Sequence, residues 1–305
     1  MKNALVPNRV IVKVGTSTLT HENGEMNLRC FDALARVLSD VQNMGYEVIM
    51  VSSGAIAVGA SRLRMDGKPE ELRYKQAAAA VGQCQLMHLY DKFFGEYGKT
   101  VAQILLTGDD VHDPGIKQNL TNTFDTLLEL GIIPIVNEND SVSSAEIEST
   151  AVLDGTGGST PAPVHKVFGD NDTLSAVVAE LCRASLLILL SDIDGLYESD
   201  PRENPNARLI REIRVLDDEV YALAGGAGSN RGTGGMITKL RAAEITMSAG
   251  IDMVITNGSK PEGVYDIVDG RAVGTLFAAR GGRLRPVETA AESAEPDDEK
   301  PEPLG

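Results

Sequence analysis

Two lysines stand where lysines are unusual. Lys13 lies inside the apolar run RVIVKV (9–14) and is followed at once by GTST. A cation within a buried strand needs a counter-charge, and a bound phosphate would supply one. The ordinary alternative is a lysine that snorkels to solvent from a sheet end. Lys239 closes GTGGMITK (232–239), in which three glycines and two threonines run into a helical pattern. Such a stretch can turn amide donors toward a phosphate at a helix N-terminus. It lacks the Gly-Lys-Ser/Thr ending of the common nucleotide loop, and a glycine-rich stretch that merely starts a helix is the plain alternative. Phosphoryl transfer asks a protein mainly for positioning and positive charge. Two lysines, each tied to a Gly/Thr loop, could supply that charge from opposite sides.

Three further clusters carry polar chemistry. SSGA (52–55) offers two hydroxyls and a glycine at a strand-to-helix turn, an anion site or an ordinary N-cap. Read alone, it fits the N-cap better. NENDS (137–141) and GDND (169–172) are acidic-amide clusters. Their side chains suit ammonium, carboxylate or metal partners, and turn formation is the alternative for each. Asp172 and Thr173 open a helix, so capping and function overlap there. The four histidines are scattered and form no ligand pair.

These clusters must be positioned by regular elements. Short apolar runs at 9–14, 47–53, 101–107, 132–137, 186–191 and 252–256 predict buried strands. Helical periodicity marks 27–45, 70–97, 173–183 and 236–249. In the first of these helices Leu28, Phe31, Leu34, Leu38 and Val41 share a face, and Gly45 ends it. Continuous apolar strands alternating with amphipathic helices predict an α/β protein, a three-layer α/β/α sandwich around a mostly parallel sheet. In such sheets ligands sit at the carboxyl ends of strands. GTST, SSGA, NENDS, SDIDGLY and NGS each follow a strand, which predicts one composite site along one edge.

The bulk composition narrows the class. The chain has 305 residues, 42% of them hydrophobic, with a formal net charge of −16. That charge disfavours nucleic acid and anionic membrane surfaces as partners. Residues 286–305 hold seven acidic residues and one basic residue and few large apolar ones, so 285–305 reads as a disordered acidic tail. Residues 1–284 read as one domain. Cys30, Cys84 and Cys182 have no C-x-x-C spacing, which suits core thiols, a reducing cytosol and no structural zinc. No stretch has the length of a membrane span.

As a set, VIVKVGTSTLT, VSSGAIAVG, AQILLT, PIVNENDSVS, FGDNDTLSA, LLLSDIDGLYESDPR, GTGGMITKLRAA and AVGTLF resemble the amino acid kinase family, in the family's order over roughly residues 9–280. SSGAIAVG, NEND, GDND and GTGGMxTK together resemble the branch that phosphorylates the side-chain carboxylate of L-glutamate with ATP, giving L-glutamyl 5-phosphate in the first step of proline biosynthesis. The other readings are another small-molecule kinase of the same family, or a non-catalytic nucleotide sensor. The resemblance implies roles. Lys13 would contact the transferring phosphoryl group, with Gly15 beside it letting the nucleotide approach. Lys239 would be the second cationic clamp, and Asp172 would orient both lysines. Ser53, Asp140 and Asn171 would hold glutamate. Ser191 and Asp192 would contact the nucleotide, and Thr233, Gly234, Gly235, Met236, Ile237, Thr238 and Lys239 would cradle its phosphates. ATP with Mg²⁺ bridging its phosphates, proline as feedback inhibitor at the glutamate site, and a homodimer or homotetramer are further implications. The chain departs from the family pattern in three places. About twenty residues, 148–167, are inserted between two glutamate-site clusters. Ser191 stands where threonine is frequent. The RNA-binding-like PUA module that many relatives carry is not matched by any stretch.

Overall fold

The computed structural model describes residues 6–21, 24–142, 170–224, 235–280, 282 and 284–286. The 148–167 insertion, the acidic tail from 287 on, and Thr233 and Gly234 lie outside the described residues; Arg285 and Pro286, read with the tail, instead form a short strand paired with Arg271 and Ala272. At the centre of the fold is β1 (Val6–Val14), a strand of nine residues. Its neighbours are β2 (Glu47–Val51) on one side and β5 (Ala184–Ser191) on the other, both parallel to it. Beyond β2 come β4 (Ile133–Glu138) and the edge strand β3 (Val101–Leu106). Beyond β5 come β7 (Asp252–Asn257), β9 (Thr275–Phe277) and β6 (Glu212–Ile213). The sheet order is β3-β4-β2-β1-β5-β7-β9-β6, and among the described residues its one antiparallel pairing is β7 with β9. A separate two-stranded pair joins β8 (Arg271–Ala272) to β10 (Arg285–Pro286).

Side chains alternate across a strand, and the two cores divide accordingly. Val10, Val12 and Val14 of β1 pack with α2 (Leu28–Asn43), α3 (Ala55–Arg62), α4 (Leu72–Glu96) and α9 (Gly263–Val268). Ile11 faces the opposite layer, which holds α5 (Pro114–Glu129), α6 (Asn171–Leu181), α7 (Asp218–Ala224) and α8 (Met236–Ala249). Lys13 shares the parity of Ile11, so the same period of two sends its side chain to the α6 and α8 side. A single helical turn, α1 (Thr16–Leu19), follows β1 directly.

Three readings of the sequence need correction. Leu28 is not part of the buried face of α2; it is 54% exposed, because it opens the helix beyond the reach of the sheet. Strand β3 is not fully buried: as an edge strand it leaves Gln103 exposed. Cys84 is exposed, unlike Cys30 and Cys182. Among the described residues no helix is long and apolar enough to cross a membrane.

Two glycines set the approach of α3 to α4. A Cβ on Gly59 would lie 1.8 Å from the Ala78 carbonyl oxygen, and one on Gly82 would lie 1.8 Å from that of Ala55. Backbone meets backbone here, so no rotamer change relieves the clash. At the opposite edge from the strand C-termini, buried Arg9 ties three elements. Its Nε donates to Glu47 at 2.7 Å, and its Nη1 donates to Asp125 at 2.8 Å and to the Cys182 carbonyl at 2.7 Å. We expect Gly82→Ala to lower stability by about 1–3 kcal/mol or more, because overpacking forces the helices apart. Gly95→Ala, in the same helix with nothing within 4 Å of the new Cβ, should be neutral or mildly stabilising. Denaturant unfolding of both variants checks this; equal curves would contradict the close crossing.

Candidate active site

The C-terminal ends of the parallel strands bring the polar clusters to one edge. Lys13, next to the end of β1, pairs in register with Val51 and Leu189, the last or near-last residues of β2 and β5. Asp172 stands in the first turn of α6 and is 1% exposed. Lys13 Nζ lies 2.7 Å from Asp172 Oδ1, and Lys239 Nζ lies 3.0 Å from Oδ2. Thr238 Oγ1 donates to the same Oδ2 at 2.8 Å. Both lysines are buried, so Lys13 does not snorkel to solvent. Gly15 lies beside its tip: a Cβ built there would be in ordinary contact with Lys13 Nζ, at 3.6 Å.

The helix cap is not where sequence alone puts it. Helix α6 begins at Asn171, and its N-cap is Asp170, whose carboxylate accepts from the Thr173 backbone and hydroxyl at 2.7 and 3.0 Å. Capping and ion pairing are thus divided between two aspartates, and Asp172 is free to serve the lysines. Burial alone would raise the Asp172 carboxyl, but the charges of Lys13 and Lys239 outweigh it and hold the group at about 2. Asp170 moves the other way, because burial pushes its carboxyl up and the Thr173 hydrogen bonds only partly oppose this.

A second network, built from neutral groups, adjoins the first at Asn171. Its Nδ2 lies 2.8 Å from the Ser52 carbonyl, 2.8 Å from Ser53 Oγ and 3.1 Å from Asn137 Oδ1. Asn137 Nδ2 donates to Gln83 Oε1 at 2.9 Å, and Ser52 Oγ and Tyr90 OH meet at 2.8 Å. Ser53 is therefore tied to Asn171. The SSGA serines do not cap α3; that position belongs to Gly54, at φ 94°, with no side-chain cap. A left-handed turn of this kind favours glycine. Beside the network lies a cleft of about 410 Å³ whose lining includes Ala55, Gln83, Glu138 and Asp140. Asp140 lies in the turn after β4, on the wall of this cleft.

The remaining predicted residues sit at the neighbouring strand ends. Ser191, buried at the end of β5, donates from Oγ to Asp192 Oδ1 at 3.1 Å, and its carbonyl accepts from Gly258 N at 2.7 Å. Gly235 is the N-cap of α8, and Met236, Ile237 and Thr238 form its first turn before Lys239. Sequence reasoning did not single out Gln83 or Tyr90, and it took Ser52 and Asn137 only as members of the SSGA and NENDS clusters. The only signal for Gln83 was a glutamine directly after a glycine in an alanine-rich helix, AAAAVGQ.

With this geometry in place, the relatives can be named. The model of the amino acid kinase family matches residues 8–257. The chain belongs to that family. A glutamate 5-kinase from Clostridium perfringens is 54% identical over 283 residues, covering 92% of this chain and all of that one. One from Listeria innocua is 51% identical over 272 residues, covering 89% of this chain and 93% of that one. Among solved structures, a carbamate kinase from Giardia lamblia bound to AMP-PNP matches with a TM-score of 0.60 at 16% identity, over 90% of this chain and 99% of that one. A UMP kinase from Ureaplasma parvum gives 0.57 at 14% identity, over 90% and 100%. At these identities the two structures speak for the amino acid kinase fold alone.

Asp172→Asn would leave two buried lysines without their shared counter-charge. We expect a loss of about 3–5 kcal/mol in denaturant unfolding at neutral pH. The sign with pH follows from the lowered carboxyl. Its contribution is fully present above the unfolded value of 3.8 and is lost as pH falls toward about 2. The native protein should lose stability across that window, and the Asp172→Asn variant should lack that part of the loss.

Proposed function

We propose that this amino acid kinase catalyses ATP-dependent phosphorylation of the L-glutamate side-chain carboxylate, giving ADP and L-glutamyl 5-phosphate, the first step of proline biosynthesis. The observation that carries the reading is Lys13 and Lys239 converging on one buried aspartate, beside an amide-lined cleft. The identity of more than half the residues with glutamate 5-kinases supports the substrate. Residues 1–284 are read as the kinase domain.

The chemistry needs little from the protein beyond placement. A glutamate side-chain carboxylate is already ionised at pH 7, so no general base is required. One of its oxygens attacks the γ-phosphorus, the bond from that phosphorus to the β-bridging oxygen breaks, and ADP leaves with the electron pair. No proton has to move. Asp172 is ill suited to accept one in any case, since its carboxyl is held at about 2. The obstacle is repulsion between a carboxylate and a polyanion. Lys13 and Lys239, already desolvated and fixed, place positive charge where charge spreads in the transition state. In this reading Asp172 aims both lysines, Ser53, Asp140 and Asn171 hold glutamate, and Ser191 and Asp192 meet the nucleotide. The stretch Thr233–Lys239 would receive the nucleotide's phosphates through its glycines and through the first turn of α8.

Mg²⁺ bound across the ATP phosphates would supply further charge neutralisation. Among the described residues no three His, Cys, Asp or Glu side chains gather as a metal site. Mg²⁺ in kinases takes its ligands largely from phosphate and water. The reading extends to a cytoplasmic location, a homodimer or homotetramer, and proline as an inhibitor competing at the glutamate cleft.

The test is trapping of the acyl phosphate with hydroxylamine as a hydroxamate, with ATP and Mg²⁺. Glutamate should give the signal, and N-acetylglutamate and aspartate should not. A signal from either of those instead would reassign the acceptor. Lys239→Ala should lower kcat by at least ~100-fold with the fold retained, as removal of an electrostatic clamp does. Near-normal turnover would remove Lys239 from the mechanism.

A further inference from the structure

One amide donor on a largely buried side chain has no part in the site as described so far. Gln83 on α4 is 8% exposed and lines the cleft beside Asp140. Its amide orientation follows from a backbone group. The Glu138 N–H can only donate, so the Asn137 atom that it meets at 2.9 Å is Oδ1. Asn137 then turns Nδ2 toward Gln83, and the Gln83 atom that accepts at 2.9 Å is Oε1. Gln83 Nε2, with its two N–H groups, faces away from Asn137. It makes no hydrogen bond among the described residues. The side chain is held in the protein while its amide lines the cleft, so this donor is available to a ligand there.

The position is also held from behind. Gly82, the preceding residue, is the point of closest approach to α3, where a Cβ would strike the Ala55 carbonyl. The crossing therefore fixes where α4 presents the next side chain. The described cleft lining has carboxylates, Glu138 and Asp140, and neutral amides, Gln83, Gln103 and Asn139, but no lysine or arginine; of these amides Gln83 is the buried one whose orientation is fixed by Asn137. A ligand ammonium suits the carboxylates. A ligand carboxylate at this end must be met by neutral N–H donors.

We infer that Gln83 determines acceptor specificity: its Nε2 donates to the α-carboxylate of the amino acid, with Asn137 locking the amide in the donating orientation. The inference rests on the glutamate reading above and adds a residue and a contact to it. The alternative role, a brace that only positions Asn137 and Asn171, makes a different prediction with truncated ligands.

The experiment uses Gln83→Met, which keeps chain length and removes both donor and acceptor. KM for glutamate should rise about 30-fold, as expected for a lost hydrogen bond to a charged group, while KM for ATP changes less than about twofold. Glutarate, which lacks the ammonium, and 4-aminobutyrate, which lacks the α-carboxylate, are then run as competitors of glutamate. Glutarate inhibition should weaken in the variant by a factor like that for glutamate, and 4-aminobutyrate inhibition should stay within about twofold. Equal weakening for all three ligands, or an unchanged KM for glutamate, overturns the inference. If Gln83→Met fails to fold, Gln83→Glu serves, since it keeps the oxygen that accepts from Asn137 and removes the donor. A near-normal glutamate KM in that variant overturns the inference as well. Wild-type protein that forms no hydroxamate with glutamate sinks the functional reading itself, an outcome seen before any variant is made.

Discussion

Asp172 is the charge on which the arrangement of the site depends. Two ammonium groups buried side by side repel each other, and each pays heavily for leaving water. A single carboxylate with one oxygen for each lysine removes both difficulties at once. It does so from the first turn of α6, while the lysines come from a strand near the start of the chain and a helix near its end. The two lysines are therefore held in place by the protein itself. Dividing the work between Asp170, which caps the helix, and Asp172, which binds the lysines, keeps either demand from distorting the other.

The second network is neutral, and its logic differs. Charge can attract from several directions, but an amide carries a donor at one end and an acceptor at the other. The chain from Asn171 through Asn137 to Gln83 has one polarity, set by backbone groups at Ser52 and Glu138. It sits against the α3–α4 glycine crossing, which leaves little room for the helices to slide. The strand-end edge is thus organised by ion pairs around Asp172 and by directional hydrogen bonds around Asn137.

Much of this could be read from the sequence, for identifiable reasons. Buried parallel strands announce themselves as apolar runs, and Lys13 stood out because it interrupts one. The expectation that polar residues after strands form a single edge follows from parallel pairing and was met by β1, β2, β4, β5 and β7. The sites that escaped are of another kind. Gln83 and Tyr90 lie within a long helix, where a polar side chain reads as a solvated face until the third dimension is known. Asn137 was seen as one member of an acidic-amide cluster, with ligand binding and turn formation both open. Gly59 and Gly82 gave no local signal, because their requirement comes from a helix about twenty residues away. Leu28 and Cys84 failed in the opposite sense: an apolar type was taken as core, though position at an element's end or outer face decided its exposure.

The central position of β1 bears on how the protein is made. Its partner on one side follows within a few dozen residues, but the other side waits for β5. The Arg9 guanidinium reaches the Cys182 carbonyl across a sequence separation of 173 residues. At ribosomal rates that interval lasts roughly ten to forty seconds. For that time the emerging chain carries an apolar strand with an open hydrogen-bonding edge, a hazard for pairing with other chains. The arginine that later latches this edge then waits without its distant partners. Synthesis of the second half is consequently the interval in which that edge of β1 stays open.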